Sequence, residues 1–398
     1  MKSLDQALAV LLSGVTPITE TRTAGLQEAV GGVLAHDLMS PIDVPAYDNS
    51  QMDGYAGVAV EINTAMEPMV VSQRIPAGHP GSDLLPGTVA RIFTGAPIPV
   101  GANAVIMQEQ VQVLDDGRVR FLEPVAPGQN IRPRAGDISR GAILLEKGRR
   151  LSAADVALCA SVGHASLPII RPIRVAVFSS GDELKQPGEA LGFGQIYDSN
   201  RPMVMGLVHG LGAEVVDMGC LPDQLSVTQD RLRDAASRCD VLLTCGGVSV
   251  GEEDHIKAAI ASLGALDLWK IAVKPGKPFA FGRVGRAVLM GMPGNPVAAW
   301  VTFALLVRPY LLRCMGVHAI TPMGFRVQAG FTWDRPDARQ EYLRAWIDAD
   351  GRAQIHPRQN SAVLSSVTQC TGLVEIPAST PVRAGEFLRF IPYTGIVN

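Results

Sequence analysis

The sequence predicts an α/β protein that also carries separate β domains. Strands and helices alternate from Arg171 onward, which is typical of a doubly wound parallel sheet covered by helices on both faces. Short β runs broken by proline and glycine fill residues 46–140, and the C-terminal region is again β-rich without a helical period. We therefore expect four domains: a mixed linker domain (1–45 continued by 141–170), an inserted β-rich module (46–140), the α/β domain (171–322) and a small C-terminal β-barrel-like domain (323–398).

Composition and charge exclude several classes of protein. Of the 398 residues 47% are hydrophobic and 18% are charged, with a net charge of −3. This balance argues against nucleic acid as a partner, and no apolar run reaches membrane-spanning length. Asp5 and Gln6 interrupt the place where a signal peptide would begin its apolar segment. We expect a cytoplasmic protein that does not associate with membranes.

The N-terminal segment is predicted to form a capped helix. Ser3 and Gln6 have the spacing of a capping box, and Leu4, Leu8 and Leu11 fall on one helical face. Further along, the six cysteines are scattered without a CxxC pair, so we expect free thiols, as in a reducing compartment. The seven histidines form no HExxH or HxxxH pair, which argues against a zinc or iron site.

Two hairpins and a helix can be placed outside the α/β domain. VQVLDDGRVRFL has Asp116–Gly117 at its centre, which predicts a tight β-turn between two short strands. WIDADGRAQI gives a second hairpin signal in the C-terminal domain. A helix is expected around Ala153–Val162, with Gly163 at its end.

The α/β domain is predicted from three strands, which are RVAVFS (174–179), AEVVDM (213–218) and DVLLT (240–244). Helices are expected after Asn200, through Arg231 and through Ile256–Leu263. In sheets of this kind ligands bind at the carboxyl ends of the strands. The polar loops expected at that edge are SSGDEL (179–184), IYDSNR (196–201), LPDQ (221–224), TCGGVSVGEED (244–254), KPGKP (274–278) and MPGNP (292–296).

These loops contain side chains suited to a phosphate ester or a phosphoanhydride. Neither a Walker A motif nor GxGxxG occurs, which argues against an ordinary ATPase and a nicotinamide dehydrogenase. The carboxylates that could hold Mg²⁺ are those of Asp182, Glu183, Asp198, Asp223 and Asp254. The lysines that could face an oxyanion are Lys270, Lys274 and Lys277. The alternative is a solvated loop edge held by salt bridges.

The glycine-rich turn in TCGGVSVGEED has two interpretations. Gly246, Gly247 and Ser249 precede a predicted helix, an arrangement that usually cradles phosphate. The acids at 252–254 follow directly, and three carboxylates would repel a phosphate. Either they hold a metal ion that bridges to the phosphate, or the segment is only a turn.

Two segments outside the α/β domain are open in the same way. YDNSQMDGYA (47–56) is rich in side chains that bond their own backbone, so it forms a turn unless Asp53 offers its carboxylate to a ligand. TGAPIP (94–99) is likewise a turn unless Thr94 supplies a hydroxyl to a site. Spacing does not separate these alternatives.

Taken together, the motifs resemble the molybdopterin molybdenumtransferases, the family of MoeA and the gephyrin E domain. The matching segments occur in the family's order over most of the chain: PAYDNSQMDGYA, RIFTGAPIP, GQNIRPRAGDI, SSGDEL, GQIYDSNR, TCGGVSVGEEDHIK, KPGKPFAFG and GMPGNPVA. The resemblance implies a four-domain fold whose α/β domain is similar to MogA and MoaB, and an elongated homodimer. It also implies a Mg²⁺-dependent reaction in which molybdate and adenylylated molybdopterin give molybdenum cofactor and AMP.

The resemblance also implies roles for particular residues, among them Lys274 and Lys277 as molybdate ligands. The implied catalytic residues are Asp53, Thr94, Asp137, Glu183, Asp223 and Asp254, of which Glu183, Asp223 and Asp254 would hold Mg²⁺. The candidate residues for binding the pterin substrate and the oxyanion are Gly246, Gly247, Ser249, Asp198, Asn200, Lys270, Lys274, Lys277, Pro278, Arg344 and Ser366.

Other functions remain open at this point. The chain could be a scaffold that binds molybdopterin without catalysis, or an insertase that prefers tungstate. An adenylyltransferase acting one step earlier fits less well, because such enzymes resemble only the α/β part. The partners implied are a second copy of the chain, a molybdopterin adenylyltransferase, and apo-molybdoenzymes or their chaperones.

Overall fold

The computed structural model describes residues 1–222, 224–246 and 255–397. These residues form two compact units. The large unit contains residues 1–35, 148–151 and 168–398, and the small unit contains residues 36–147 and 152–167. This division groups segments that the four-domain prediction separates, so the four domain boundaries stay a prediction.

The chain begins in the large unit with the predicted capped helix. Ser3 Oγ accepts a hydrogen bond from Gln6 N, and Gln6 Oε1 accepts one from Ser3 N, which confirms the capping box. Leu11 is buried, and Leu4 and Leu8 pack against the same core. The elements of this segment are α1 (Leu4–Ser13), β1 (Thr21–Gly25) and α2 (Leu26–Ala29).

The small unit is built on a four-stranded sheet with apolar side chains on both faces. Its helices and strands are β2 (Leu38–Met39), β3 (Asn49–Ser50), β4 (Gly54–Gly57), α3 (Ala59–Thr64), β5 (Val70–Ile75), β6 (Thr88–Ile92), β7 (Ala104–Met107), β8 (Val111–Val113), β9 (Val119–Phe121), β10 (Ile131–Arg132), β11 (Ile143–Leu145) and α4 (Ala153–Ser161). The sheet order is β5-β6-β4-β7. The β8–β9 pair confirms the hairpin around Asp116–Gly117, and Gly163 follows α4 as expected.

After β12 (Ser166–Ile170), the chain forms the α/β part of the large unit. Its elements are β13 (Arg174–Ser180), β14 (Leu184–Lys185), β15 (Ile196–Tyr197), α5 (Asn200–Gly210), β16 (Glu214–Leu221), α6 (Leu225–Arg238), β17 (Val241–Cys245), α7 (His255–Leu263), β18 (Leu266–Lys270), β19 (Val273–Lys274), β20 (Pro278–Val284), β21 (Ala287–Met292), α8 (Pro296–Thr302) and, after a π-helical stretch (Phe303–Val307), α9 (Arg308–Cys314). The three predicted strands and three predicted helices are all present.

The main sheet has the order β16-β13-β17-β21-β20-β18. The first four strands are parallel, as predicted, and β20 runs antiparallel to both of its neighbours, β21 and β18. The physical reason is the two-residue connection Gly285–Arg286 between β20 and β21, since so short a link can join only antiparallel strands.

Both faces of this sheet are covered, which confirms the doubly wound arrangement. Val175 and Val177 belong to one core together with side chains of α5, α8 and α9, while Ala176 and Phe178 belong to a second core with side chains of α6 and α7. The helical segment Pro296–Cys314 is long and apolar enough to cross a membrane, but 94% of its apolar window is buried in the fold. It is therefore a core helix. All six cysteines are free thiols, as expected.

The C-terminal domain is a closed five-stranded barrel, with the order β23-β24-β22-β26-β25 and a final β25–β23 pairing. Its elements are β22 (Phe325–Ala329), β23 (Gln340–Ile347), β24 (Arg352–Ile355), α10 (Ser365–Thr368), β25 (Gly372–Ile376), β26 (Phe387–Pro392) and α11 (Thr394–Val397). The β23–β24 pairing confirms the WIDADGRAQI hairpin. Strand β19 also pairs with β23, which places Lys274 opposite Glu341.

Candidate functional site

The strand directions bring the predicted polar loops to one edge of the main sheet. Loops that follow β13, β16, β17 and β21 lie at the carboxyl edge because these strands are parallel. Strand β18 is antiparallel to β20, and β20 is antiparallel to β21, so β18 runs in the same direction as β21 and also ends at this edge. The KPGKP loop, which leads from β18 through β19 to β20, therefore lies at the same edge. The sequence prediction of a shared loop edge is confirmed for the described residues.

Glycine allows close packing of the backbone where β17 ends. Gly246 has φ +92° and donates its N–H to Met292 O at 3.1 Å. A Cβ at Gly246 would lie 2.9 Å from Ser180 O, so a larger residue does not fit between these strand ends. Gly294 lies close by, since a Cβ added there would lie 3.9 Å from Gly246 Cα. Glycine at these two positions therefore lets the ends of β13, β17 and β21 approach one another closely.

The predicted magnesium ligands are only partly described. Glu183 is exposed, and its carboxylate folds back over Gly181, where an added Cβ would lie 2.4 Å from Oε2. Asp223 and Asp254 lie outside the described residues, as do Gly247 and Ser249. Within the described part of the chain no group of three His, Cys, Asp or Glu side chains could hold a metal ion. Glu183 by itself does not make a magnesium site.

Asp198 and Asn200 differ in how far their polar atoms are already bonded. Asp198 is 1% exposed and accepts hydrogen bonds from Arg201 N at 3.1 Å and Arg201 Nε at 3.0 Å, so its carboxylate is engaged at the start of α5. Asn200 donates from Nδ2 to Gly294 O at 2.6 Å. Its Oδ1 is buried and has no hydrogen-bond partner among the described residues, which leaves an acceptor free for a ligand.

Lys274 is held by two carboxylates from the C-terminal barrel. Its ammonium lies 3.0 Å from Glu341 Oε1 and 3.3 Å from Asp337 Oδ2. Asp337 also forms an ion pair with Arg339 at 2.9 Å, and Trp333 Nε1 donates to the second oxygen of Glu341 at 2.9 Å. Burial lowers the pKa of Lys274, but Glu341 and Asp337 outweigh it and hold that pKa above its usual value. The charge on Lys274 is thus already balanced.

The other basic residues of the edge are more open. Lys270 and Lys277 are exposed, and Lys270 lies opposite Pro278 in the β18–β20 pair. Gly276 has φ +117°, and a Cβ there would lie 2.7 Å from Thr302 Oγ1, so the turn is packed against α8. Close packing on a helix fixes the backbone between the two lysines of KPGKP.

Arg344 and Ser366 form a buried pair inside the barrel region. Arg344 is 1% exposed, and its Nε donates to Ser366 Oγ at 3.0 Å. Its Nη2 donates to Arg358 O and Asn360 O, each at 3.3 Å, and its Nη1 is buried without a hydrogen-bond partner among the described residues. Burial lowers the pKa of Arg344, and no described carboxylate bonds its guanidinium. The structure therefore joins Arg344 to Ser366, and among the described residues no carboxylate neutralises the guanidinium.

In the small unit, Asp53 and Thr94 are in direct contact. Asp53 Oδ1 accepts hydrogen bonds from Thr94 N at 2.8 Å and Thr94 Oγ1 at 2.9 Å. These bonds lower the pKa of Asp53, so the exposed carboxylate stays ionised. Asp137 is also exposed and bonds through its N–H to Val44 O at 2.9 Å. The segments YDNSQMDGYA and TGAPIP thus form one structure that presents Asp53.

Sequence reasoning missed the two carboxylates that hold Lys274. A signal for one of them exists in QEYLRAWI, where Glu341 alternates with Leu343 and Ala345 and therefore points to the barrel core. An acid on an apolar strand face needs a cationic partner, because a buried unpaired charge is costly. Asp337 lies in a loop and carries no such signal.

Comparison with known proteins gives consistent results along the whole chain. Residues 2–163 match the MoeA N-terminal region (domain I and II), residues 176–313 match a probable molybdopterin binding domain, and residues 326–393 match the MoeA C-terminal region (domain IV). Fold and site thus define a protein built around an α/β domain of the molybdopterin-binding class.

The curated relatives and solved structures identify the family. The molybdopterin molybdenumtransferase of Haemophilus influenzae is 38% identical over 100% of both chains, and molybdopterin molybdenumtransferase 2 of Mycobacterium tuberculosis is 34% identical over 96% of this chain and 97% of that protein. The crystal structure of a molybdopterin biosynthesis MoeA protein from Pyrococcus horikoshii is 30% identical, with a TM-score of 0.86 over 99% of this chain and 100% of the other. The chain belongs to the molybdopterin molybdenumtransferase (MoeA) family, transferases of molybdenum cofactor biosynthesis.

Proposed function

We propose that the protein inserts molybdenum from molybdate into adenylylated molybdopterin and releases AMP. The observation that carries this proposal is the buried guanidinium of Arg344, which no described carboxylate compensates. A buried cation is costly unless it is paired, and an oxyanion would supply the missing negative charge. The names of the curated relatives support molybdenum as the element that is transferred.

Molybdate is a tetrahedral dianion, and the described residues offer groups suited to it. Arg344 presents the unpartnered donor Nη1 in the barrel region, where Ser366 accepts from its Nε and donates to Val363 O, and Lys277 adds an exposed ammonium from the packed KPGKP turn. Lys274 contributes a further ammonium at the junction of β19 with the barrel. We propose that these four residues bind the oxyanion.

We propose that the pterin substrate binds along the glycine-lined edge. Gly246 and Gly294 place main chain without side chains at this edge, and the free Oδ1 of Asn200 offers an acceptor for an N–H or O–H of the ligand. Dependence on Mg²⁺ is part of the proposal, with Glu183 as the described ligand beside Asp223 and Asp254. Bound Mg²⁺ would offset the negative charge of the phosphoanhydride.

The test is incubation of the purified protein with adenylylated molybdopterin, Mg²⁺ and molybdate, followed by measurement of AMP and of molybdenum in the pterin product. The proposal expects both products, and it expects both to fall when Mg²⁺ or molybdate is omitted. If the pterin binds but no AMP is released under any condition, the protein is a scaffold and the proposed reaction is wrong.

We also propose a cytoplasmic homodimer that shares its sites, receives substrate from a molybdopterin adenylyltransferase, and delivers cofactor to apo-molybdoenzymes or their chaperones. Asp53 belongs to the small unit and Lys274 to the large unit. If one subunit contributes Asp53 and the other Lys274, mixed dimers of Asp53→Asn and Lys274→Ala contain one intact site. Such dimers should recover part of the AMP release at limiting molybdate. No recovery in dimers verified by native mass spectrometry would contradict shared sites.

A further inference from the structure

The two carboxylates that contact Lys274 are not equivalent. Glu341 is 1% exposed, and its Oε2 accepts hydrogen bonds from Trp333 Nε1 and from Asp337 N, each at 2.9 Å. Its Oε1 is buried, and among the described residues only the ammonium of Lys274, 3.0 Å away, contacts and compensates it. If Lys274 moved away, a buried carboxylate oxygen would remain without positive charge beside it. The ammonium is therefore bound firmly at Glu341.

Asp337 has a second cationic partner. Its Oδ1 accepts from Arg339 Nε at 2.9 Å, and its Oδ2 accepts from Arg339 Nη2 at 3.0 Å, a two-bond ion pair. Lys274 lies farther away, at 3.3 Å, and the Asp337 side chain is 23% exposed. Asp337 can lose its contact with Lys274 and remain compensated by Arg339.

We propose that Glu341 is a positioning residue that holds the Lys274 ammonium at the oxyanion site, and that Asp337 is the partner the oxyanion replaces. This inference rests on the proposed function, since it takes Lys274 as a ligand of the oxyanion. The ammonium has three N–H donors, so it can keep its bond to Glu341 and still donate to a bound oxyanion. The side chain of Lys274 is 41% exposed, so an oxyanion can reach its ammonium from solvent.

Replacement of Glu341 by glutamine separates positioning from a simple charge effect. If Glu341 acted only as a negative charge near the site, Glu341→Gln would reduce repulsion and lower the molybdate requirement. If Glu341 positions Lys274, the requirement rises. The amide oxygen must stay on the N–H groups of Trp333 and Asp337, so the NH₂ turns toward the ammonium and displaces it.

The experiment measures the molybdate concentration for half-maximal AMP release in Glu341→Gln, Asp337→Asn and a control, Glu375→Gln. Glu375 lies on the neighbouring strand β25, where it pairs with Arg389 at 3.3 Å, and it does not contact Lys274 in the described structure. We expect an increase of about tenfold for Glu341→Gln, a decrease for Asp337→Asn, and no change for the control; an unchanged requirement in Asp337→Asn would show that the oxyanion does not replace Asp337. A lowered or unchanged requirement in folded Glu341→Gln overturns the proposal.

The pH dependence of the molybdate requirement distinguishes positioning of Lys274 from a purely structural role of Glu341. The charged groups that face Lys274 are Glu341 and Asp337, with Arg339 behind Asp337. Loss of Glu341 removes a contact that raises the pKa of Lys274, so the ammonium loses its proton at lower pH. The molybdate requirement of Glu341→Gln should rise more steeply between pH 8 and 10 than that of the wild type. Parallel profiles would count against positioning.

Thermal unfolding separates failure of this inference from failure of the proposed function. If the wild type releases no AMP in response to molybdate, the proposed function fails. The interaction between Glu341 and Lys274 is then measured by comparing the unfolding midpoints of the wild type, Glu341→Gln, Lys274→Met and the double variant. Non-additive shifts of the unfolding midpoint support an interaction between Glu341 and Lys274, and additive shifts overturn it. Tryptophan fluorescence, which Trp333 beside Glu341 shares with three other tryptophans, reports whether each variant is folded.

Discussion

Lys274 and Arg344 both supply positive charge near strand β23, but their surroundings differ. Lys274 is half-exposed and contacts two carboxylates, Glu341 and Asp337. Arg344 is buried, and its described hydrogen bonds go to the hydroxyl of Ser366 and to two carbonyl oxygens. Within the part of the chain that the structure describes, carboxylates neutralise Lys274 but not Arg344.

If both residues bind the proposed oxyanion, the difference predicts separate roles for them. A neutralised cation adds little net attraction for an oxyanion, but its N–H groups are held in position. An uncompensated buried cation attracts an oxyanion strongly, and removal of that cation leaves no carboxylate stranded. We therefore expect Arg344 to dominate affinity and Lys274 to depend on its carboxylates, and each expectation can be tested by substitution.

The largest effect is expected from Arg344→Met. Loss of a desolvated, charge-assisted contact to an oxyanion costs about 3 kcal/mol, which corresponds to a molybdate requirement raised roughly 100-fold. Arg344→Lys keeps the charge without the full set of N–H donors and should give an intermediate value. The measurement is a molybdate titration of AMP release. An unchanged titration in Arg344→Met would remove this residue from the oxyanion site.

Smaller effects are expected from Lys274→Met and Lys277→Met. Both lysines are at least partly exposed, so each contact is worth about 1.5 kcal/mol and the molybdate requirement should rise roughly tenfold. Lys147→Met, at an exposed position of the small unit, is the control for loss of a positive charge and should leave the titration unchanged. If the control variant shifts as much as the other two, the effect is one of net charge and not of direct binding.

Stability without oxyanion should show the reverse order. Lys274→Met leaves Glu341 Oε1 buried without a counterion, and after allowance for the exposure of Lys274 we expect a loss of about 1–2 kcal/mol. Arg344→Met removes an uncompensated buried charge, which offsets much of the cost of its lost hydrogen bonds. Thermal unfolding of the large unit measures both. A greater loss in Arg344→Met than in Lys274→Met would contradict the contrast between the two cations.

The smallest effect concerns pH. The pKa of Lys274 is raised in the folded protein above its ordinary value of 10.5, so the stabilisation from its ion pairs is complete below that pH. It is lost as the pH rises through the higher folded value. The unfolding midpoint of the wild type should therefore fall more steeply than that of Lys274→Met as the pH rises above 10.5. Identical slopes would show that the ion pairs do not contribute.

Local pattern predicted much of the fold, because each correct element is encoded by neighbouring residues. The Ser3–Gln6 capping box, the Asp116–Gly117 hairpin and the buried strand Val241–Cys245 depend on short segments. Closure of the barrel through β25 and β23 depends on pairing of strands that are separated in sequence, which periodicity does not specify. The antiparallel strand β20 follows from its two-residue connection to β21, which the alternation of strands and helices does not reveal.

The candidate site could likewise be predicted from the sequence only in part. Motifs indicated Lys274, Lys277 and Arg344, but their charge balance depends on contacts between distant segments. The pairing of β19 with β23 brings Lys274 to Glu341, and this register is visible only in the folded chain. The signal that remained in sequence was Glu341 on the apolar face of β23.

The central claim is that AMP release is coupled to binding of a tetrahedral metal oxyanion. The most direct measurement compares AMP release from adenylylated molybdopterin at saturating Mg²⁺ with molybdate, tungstate, sulfate or no added oxyanion. We expect AMP release with molybdate and little release with sulfate or without oxyanion. The rate with tungstate shows whether the site discriminates between two oxyanions of the same charge and nearly the same size. Equal rates of release with and without molybdate would contradict the account.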